Sequence, residues 1–368
     1  MYLRLKSNSS LAPRPTHELG LPEALPRGLR SLLFSNHLSS FDWRCGGPVG
    51  PIKFIDLREL EYALLRAEQG DVNAAPMAQL YLRAMGALIA TDNGAACQYS
   101  IGDRWNSHSR QFTLAGQALM LQAIGIGAAL GRRKSLANVA MRIRRFVARS
   151  GGELAPHPSF QKRDLSHISS PISRLRDRCW YARAMHQFGT AYELSNFVHD
   201  GAALFRFVIA RVEQPEQPLE MLNRLDDQVA FIASLAYFAN YFGDQQLWAK
   251  AICRLIATAT QHAHPRGGYQ QLNNGRQMLE AEIDVDCTIE IVRICLLLVD
   301  NVPDSPLRPV LIQGMRGLYD PSTALRRNPE SGILLIADAL EISPLMTQHL
   351  VREEVISTTD SLSNRLAS

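Results

Sequence analysis

Several clusters of ionisable and aromatic residues in this chain have the makings of a chemical site. Asp226 and Asp227 stand side by side, and Glu280, Glu282 and Asp284 crowd a later stretch. Cleavage of a glycosidic bond needs two carboxyl groups roughly 5–9.5 Å apart, so one acid from each cluster could supply the pair. The competing role for Asp226 or Asp227 is local. Ahead of an apolar run, a carboxylate can cap the free amides of a helix's first turn, and its charge suits the positive end. His157, His262 and His264 are the proton-transfer candidates. Asp103, Arg104 and Trp105, with Tyr99 just before them, offer a guanidinium for paired hydrogen bonds beside an indole that could stack on a polar ring. The alternative is a structural loop, with Arg104 tying down carbonyls and Trp105 plugging a gap. Arg178 and Trp180, at the start of a helix, and Arg266 and Tyr269, in a Gly-rich loop, could line the same cavity.

Other chemistries lack their residues. The six cysteines (45, 97, 179, 253, 287 and 295) make no Cys-x-x-Cys pair and show no zinc spacing. There is no Gly-rich phosphate loop and no nucleophile in a recognisable context, so neither a metal nor a cofactor is expected. The Lys and Arg total of 39 is nearly balanced by 35 acidic residues, and scattered Arg gives no nucleic-acid patch. All six thiols are expected to be free and the setting cytoplasmic, since no signal peptide follows Met1. Residues 111–131 carry no charge and imitate a membrane span. Gln111, Gln117 and Gln122 recur along them, however, and a buried helix accounts for the stretch equally well.

The elements that would position these residues are helical. The run 226–242 is apolar nearly all round, as a helix buried on several faces must be. After Gly243-Asp244, the helix predicted over 245–262 has one apolar stripe, the mark of an outer layer. The same alternation recurs along the chain. Gly94, Gly151 and Gly267 mark return loops 57 and then 116 residues apart, one period and two. About twelve helices in six hairpins follow, an all-α (α/α)6 toroid over residues 21–355. An N-terminal arm (1–20) and a C-terminal tail (356–368) flank it, and no period-two alternation supports a sheet. The long loops 91–109, 151–176, 213–225 and 263–283 all precede inner helices, so they gather at one mouth of the ring.

Three stretches carry a family resemblance. Gln98-Tyr99-Ser100-Ile101-Gly102-Asp103-Arg104-Trp105 is similar to a Tyr-Ser-Val-Asp-x-Arg-Trp segment of the thioredoxin-domain-bearing, spermatogenesis-associated protein family. Gly47 to Phe54 resembles that family's Gly-rich segment ending in Pro-Lys-Phe. Leu225-Asp226-Asp227, with Gly243-Asp244, Trp248 and Gly267-Gly268-Tyr269, resembles its later hairpin. The resemblance runs collinearly from about residue 27 to 350 and implies a six-hairpin glycosidase-like fold. The chain is expected to depart from the family in lacking a thioredoxin-like domain before the toroid. It also has Gln111 and Gly116 where the family has Glu and Asp. Two functions follow as expectations: a catalytically degenerate binding or assembly module with a sugar-like ligand or a protein partner, or a glycoside hydrolase or sugar epimerase acting at the mouth.

Overall fold

The computed structural model describes residues 25–90, 92–109, 112–149, 175–213, 224–272, 282–299, 306–325 and 330–342. The expected N-terminal arm (1–20) and C-terminal tail (356–368) lie outside the described residues, as does the stretch 343–355 at the end of the expected toroid.

Six helices, α2 (Leu57–Glu68), α4 (Leu114–Gly127), α6 (Leu175–Tyr192), α8 (Leu225–Phe242), α10 (Val285–Val299) and α13 (Glu330–Ile342), pack each on the next, and α13 closes on α2. Each inner helix is backed by an outer one. α3 (Ala74–Met85) lies on α2, α5 (Lys134–Arg149) on α4, and α7 (Ser195–Val212) on α6. α9 (Gln245–His262) lies on α8, α11 (Arg308–Leu318) on α10, and α1 (Arg27–Ser39) on α13. A one-turn helix, α12 (Pro321–Ala324), follows α11. The expected (α/α)6 toroid is what the chain forms.

The two layers differ as their positions require. In α8, Val229, Phe231, Ile232, Leu235 and Phe238 point in different directions and are all buried, because ring neighbours flank the helix and α9 backs it. In α5 only Ala140, Ile143 and Val147 are buried. Arg145 and Arg149 are exposed, whereas Arg142 folds back and donates from Nη2 to the Ala90 carbonyl at 2.9 Å. The turn between α8 and α9 is set by Gly243, whose φ of 66° suits a residue without Cβ, and by Asp244, which accepts the Gln246 and Leu247 amides. The uncharged stretch forms α4 and a short 3-10 turn, Ala128–Leu130. Among the described residues, no helix is long and apolar enough to cross a membrane.

One element was not foreseen. β1 (Ile52–Phe54) and β2 (Tyr99–Ile101) pair antiparallel in the register Ile52↔Ile101, Lys53↔Ser100 and Phe54↔Tyr99. Three-residue strands are too short to show alternation, and their partners are far apart in sequence. The pairing brings together two of the three stretches on which the family resemblance rests.

Candidate functional site: the rim and the lumen of the ring

At the rim, most of the residues singled out in the sequence turn out to hold the structure together. Trp105 is buried, its Nε1 donates to the Gly46 carbonyl at 2.9 Å, and its ring lies where any side chain at Gly47 would go. Trp105 therefore plugs a gap rather than offering a face for stacking. Arg104 is exposed; Asp103 is exposed too and pairs with Arg44 at 2.8 Å. Tyr99 is half-buried in β2. Tyr269 is fully buried, donating its hydroxyl to the Val310 carbonyl at 2.7 Å and its amide to Thr288 Oγ1 at 3.1 Å. It joins the 263–284 loop to α10 and α11 and presents nothing to the mouth.

Of the two neighbouring acids, Asp227 caps a different helix from the one expected, while Asp226 takes an amide in the first turn of its own. The residue before α8 is Arg224, which supplies no side-chain cap. Asp227 instead accepts the backbone amide of Arg176 at 2.8 Å, so it caps the neighbouring inner helix α6. Asp226 takes the Asp227 amide at 3.1 Å and pairs with Arg176 at 3.0 Å and Arg224 at 2.9 Å. Burial raises the Asp227 pKa, while the Arg176 amide pulls it down. Asp226 and Asp227 thus knit α6 to α8 at the mouth.

The histidines are similarly engaged. His262 is fully buried, with Nδ1 2.9 Å from the Gln270 carbonyl and Nε2 3.3 Å from the Gln228 amide nitrogen; burial lowers its pKa. His264 is buried in the turn, where its Nδ1 accepts the Arg266 amide at 3.2 Å. Arg266 and Glu282 are exposed, whereas Arg178 is buried in the first turn of α6. His157 lies outside the described residues.

The polar cluster that sequence reading missed lies inside the ring. On α6 the half-buried residues Arg176, Trp180, Arg183 and Gln187 recur at steps of four, three and four, the spacing of one helix face. On α10 the same steps pick out Asp286, Glu290, Arg293 and Leu297, and on α2 Arg58, Glu61 and Leu65 continue the pattern. Such stripes on helices otherwise packed on all sides face the axis of the ring. Ion pairs across that axis confirm this. Arg293 on α10 reaches Glu61 on α2 at 2.8 Å, and Arg58 on α2 meets Asp286 on α10, although α13 stands between these two helices. Arg293 also lies 3.4 Å from Glu290 on its own helix.

Electrostatics fit the same placement. Burial works against the Arg293 charge, but Glu61 and Glu290 more than offset it and raise its pKa. Burial lowers that of Arg183, with Glu290 in partial opposition. Trp180 has Arg176 over its ring at 4.8 Å. Among the described lumen residues, Arg183 Nε and Gln187 Oε1, a donor and an acceptor one turn apart, are buried without a hydrogen-bond partner; Glu61 Oε2 makes no hydrogen bond either but has its ion pair with Arg293. Beside them Tyr237 on α8 shares a hydrogen bond with His186 Nδ1 at 2.8 Å, and burial lowers His186 to a pKa of about 4. The signal for this cluster was present in the sequence: isolated polar residues at helical spacing within apolar helices.

The chain has the fold of the α/α toroids. D-mannose isomerase superposes with a TM-score of 0.64 at 9% identity, covering 88% of this chain and all of that one. The cellobiose 2-epimerase of Spirochaeta thermophila DSM 6192 gives 0.59 at 12%, covering 80% and 85%. A reducing-end-xylose releasing exo-oligoxylanase gives 0.52 at 14%, covering 85% and 91%. At these identities the likeness is one of fold. No family model matches the chain, and no curated protein matches it.

A cavity of about 270 Å³ opens at the rim, lined by Ile52, Phe54, Ile55, Cys97, Gln98, Tyr99, Gly116 and Leu119. None of the lumen's charged residues lines it, so it is not the centre of the polar chemistry. Among the described residues, no group of His, Cys, Asp or Glu is arranged to hold a metal ion.

Proposed function

We propose that the protein is a binding module that holds a neutral sugar or sugar-like polyol in the lumen of the ring. The observation that carries this reading is the pair Arg183 Nε and Gln187 Oε1, a buried donor and a buried acceptor left open on one face of α6. A diol presents both a donor and an acceptor at each hydroxyl, and leaving such atoms unmatched costs on the order of 1–3 kcal/mol each. Charge favours a neutral ligand. Among the described lumen residues, Arg58, Arg183 and Arg293 are matched by Asp286, Glu61 and Glu290, and Arg176 is paired with Asp177 and Asp226, leaving no excess for an anion. The structural duties of Asp226, Asp227, His262 and His264 support binding over turnover, since these four are already tied to a helix end or a turn.

The test is calorimetric titration with a panel of free aldoses, ketoses and alditols, D-mannose among them. Binding of at least one of them is expected, with a loss of tenfold or more in Arg183→Ala and in Gln187→Ala. Binding unaffected by either substitution would remove the lumen from consideration.

A second reading, a carbohydrate-active enzyme, is favoured by one feature: Glu61 and Glu290 converge on the same guanidinium, which puts two carboxyl groups in one site. Incubation of the same panel in D2O separates the readings. Exchange of the hydrogen at C2, or appearance of an isomer, marks an epimerase or isomerase; a binding module returns every sugar unchanged.

A further inference from the structure

The two-stranded sheet at the rim is built the wrong way out for a solvent-facing element. In β1, Lys53 is 1% exposed between Ile52 at 49% and Phe54 at 40%; in β2, Ser100 is fully buried beside Ile101 at 57%. The inward polar groups are well satisfied. Lys53 Nζ donates to Asp42 at 2.8 Å and to the Pro48 carbonyl at 2.7 Å, and Ser100 Oγ donates to the Arg104 carbonyl at 3.1 Å and accepts the Ser107 amide at 3.0 Å. Register therefore holds the apolar face outward, because a slip by one residue would bring Lys53 out and break these bonds. Exposed apolar residues gathered on one face mark a place where something binds.

The cavity beside the strand pair indicates what that something is. Ile52, Phe54 and Tyr99 form one wall, and Leu119 of α4 is another. Leu119 is half-buried and precedes half-buried Gln122 and Ile126 at steps of three and four, the lumen-facing stripe of α4. The apolar cavity and the polar lumen thus share a side chain.

We propose that the ligand is a glycoside with an apolar aglycone: the sugar occupies the lumen and an alkyl or aryl group lies in the cavity against Phe54, Ile52 and Tyr99. This rests on the lumen reading above and adds the class of ligand to it. No covalent step is involved. The aglycone removes from water the apolar face that the strand pair exposes, which favours binding.

The experiment compares methyl with octyl glycosides of glucose, galactose and mannose, all below micelle formation. Tetraethylene glycol monooctyl ether serves as a sugar-free control, and each is titrated into the full chain. At least one octyl glycoside is expected to bind ten times more tightly than its methyl counterpart or better. Ile52→Ser with Phe54→Ser is expected to erase that advantage while leaving methyl glycoside affinity unchanged. Equal affinity for octyl and methyl forms, no octyl glycoside binding at all, or an advantage that survives the double substitution overturns the proposal. So does equal binding of the sugar-free ether, which would make the strand pair an apolar site unconnected to a sugar. Concentration-dependent dimerisation abolished by the same substitutions would assign the face to a second copy of the chain, also against the proposal. The lumen reading fails separately: the octyl advantage would remain in Arg183→Ala with Gln187→Ala and no methyl glycoside would bind.

Discussion

Inside the ring, Arg293 lies between Glu61 and Glu290 with its charge turned toward the axis; at the rim, Lys53 is folded beneath a strand whose Ile52 and Phe54 face out. The lumen puts polar groups where a helical core is normally apolar, and the strand pair puts apolar groups where a surface is normally polar. In the lumen the arrangement rests on pairing across the ring, because a buried charge persists only when it is matched. On the strand pair it rests on two well-bonded inward residues and a fixed register. The two regions share the Leu119 side chain, and between them describe a site polar at depth and apolar at its edge.

The largest expected effect separates structural rim residues from free ones. Trp105→Ala removes a buried indole and its bond to Gly46, and should cost about 3–5 kcal/mol in chemical denaturation. Arg104→Ala, at the exposed neighbour, should stay within about 0.5 kcal/mol. Equal effects would mean that the loop is held otherwise. Next is the lumen's pairing. Arg293→Met leaves Glu61 and Glu290 facing each other and should cost roughly 2–3 kcal/mol, below the full penalty of a buried pair because the side chains retain some solvent access. Adding Glu61→Gln and Glu290→Gln should recover most of it; no recovery would show that packing, not charge, explains the loss.

A third outcome is a pH dependence. Burial, with Asp56 adding and Lys53 opposing, pushes Glu59 up to about 8, against 4.5 in an unfolded chain. The unfolded chain ionises first, so between those values stability falls as pH rises, by up to about 1.4 kcal/mol per pH unit. Glu59→Gln should flatten that slope, and an unchanged slope would assign it to other groups. His186 works in the opposite sense. With its folded value at about 4, it contributes a loss of stability as pH falls from 6.5 toward 4. The smallest effect is at Asp227. Asp227→Ala should cost about 1 kcal/mol by uncapping α6, whereas Asp227→Asn keeps an acceptor and should be neutral or slightly stabilising at pH 7. Equal losses in both would contradict the cap.

Fold and site were unequally legible in the sequence. Alternation between all-round apolar and one-sided helices follows directly from layer packing, so α8 and α9 were readable nearly to the residue. Uncharged 111–131 read as one long helix, yet α4 ends at Gly127 in a 3-10 turn, a boundary that periodicity does not encode. Acids, histidines and aromatics near loops attract attention because catalytic groups so often sit there. Asp227, His262, Trp105 and Tyr269 are instead engaged with backbone atoms of other segments, which only the folded chain brings into reach. Glu290 and Arg293 were passed over within a helix that reads as almost wholly apolar. Their meaning depends on Glu61, on a helix two places away in the ring.

The most direct test of the central claim is a crystal structure of the full chain soaked with whichever sugar binds best. The account predicts density inside the ring, with a sugar hydroxyl within hydrogen-bonding distance of both Arg183 Nε and Gln187 Oε1 and the Arg293 ion pairs intact. Sugar found only on the outer wall, or Arg183 and Gln187 bonded to each other across an unoccupied lumen, would contradict it.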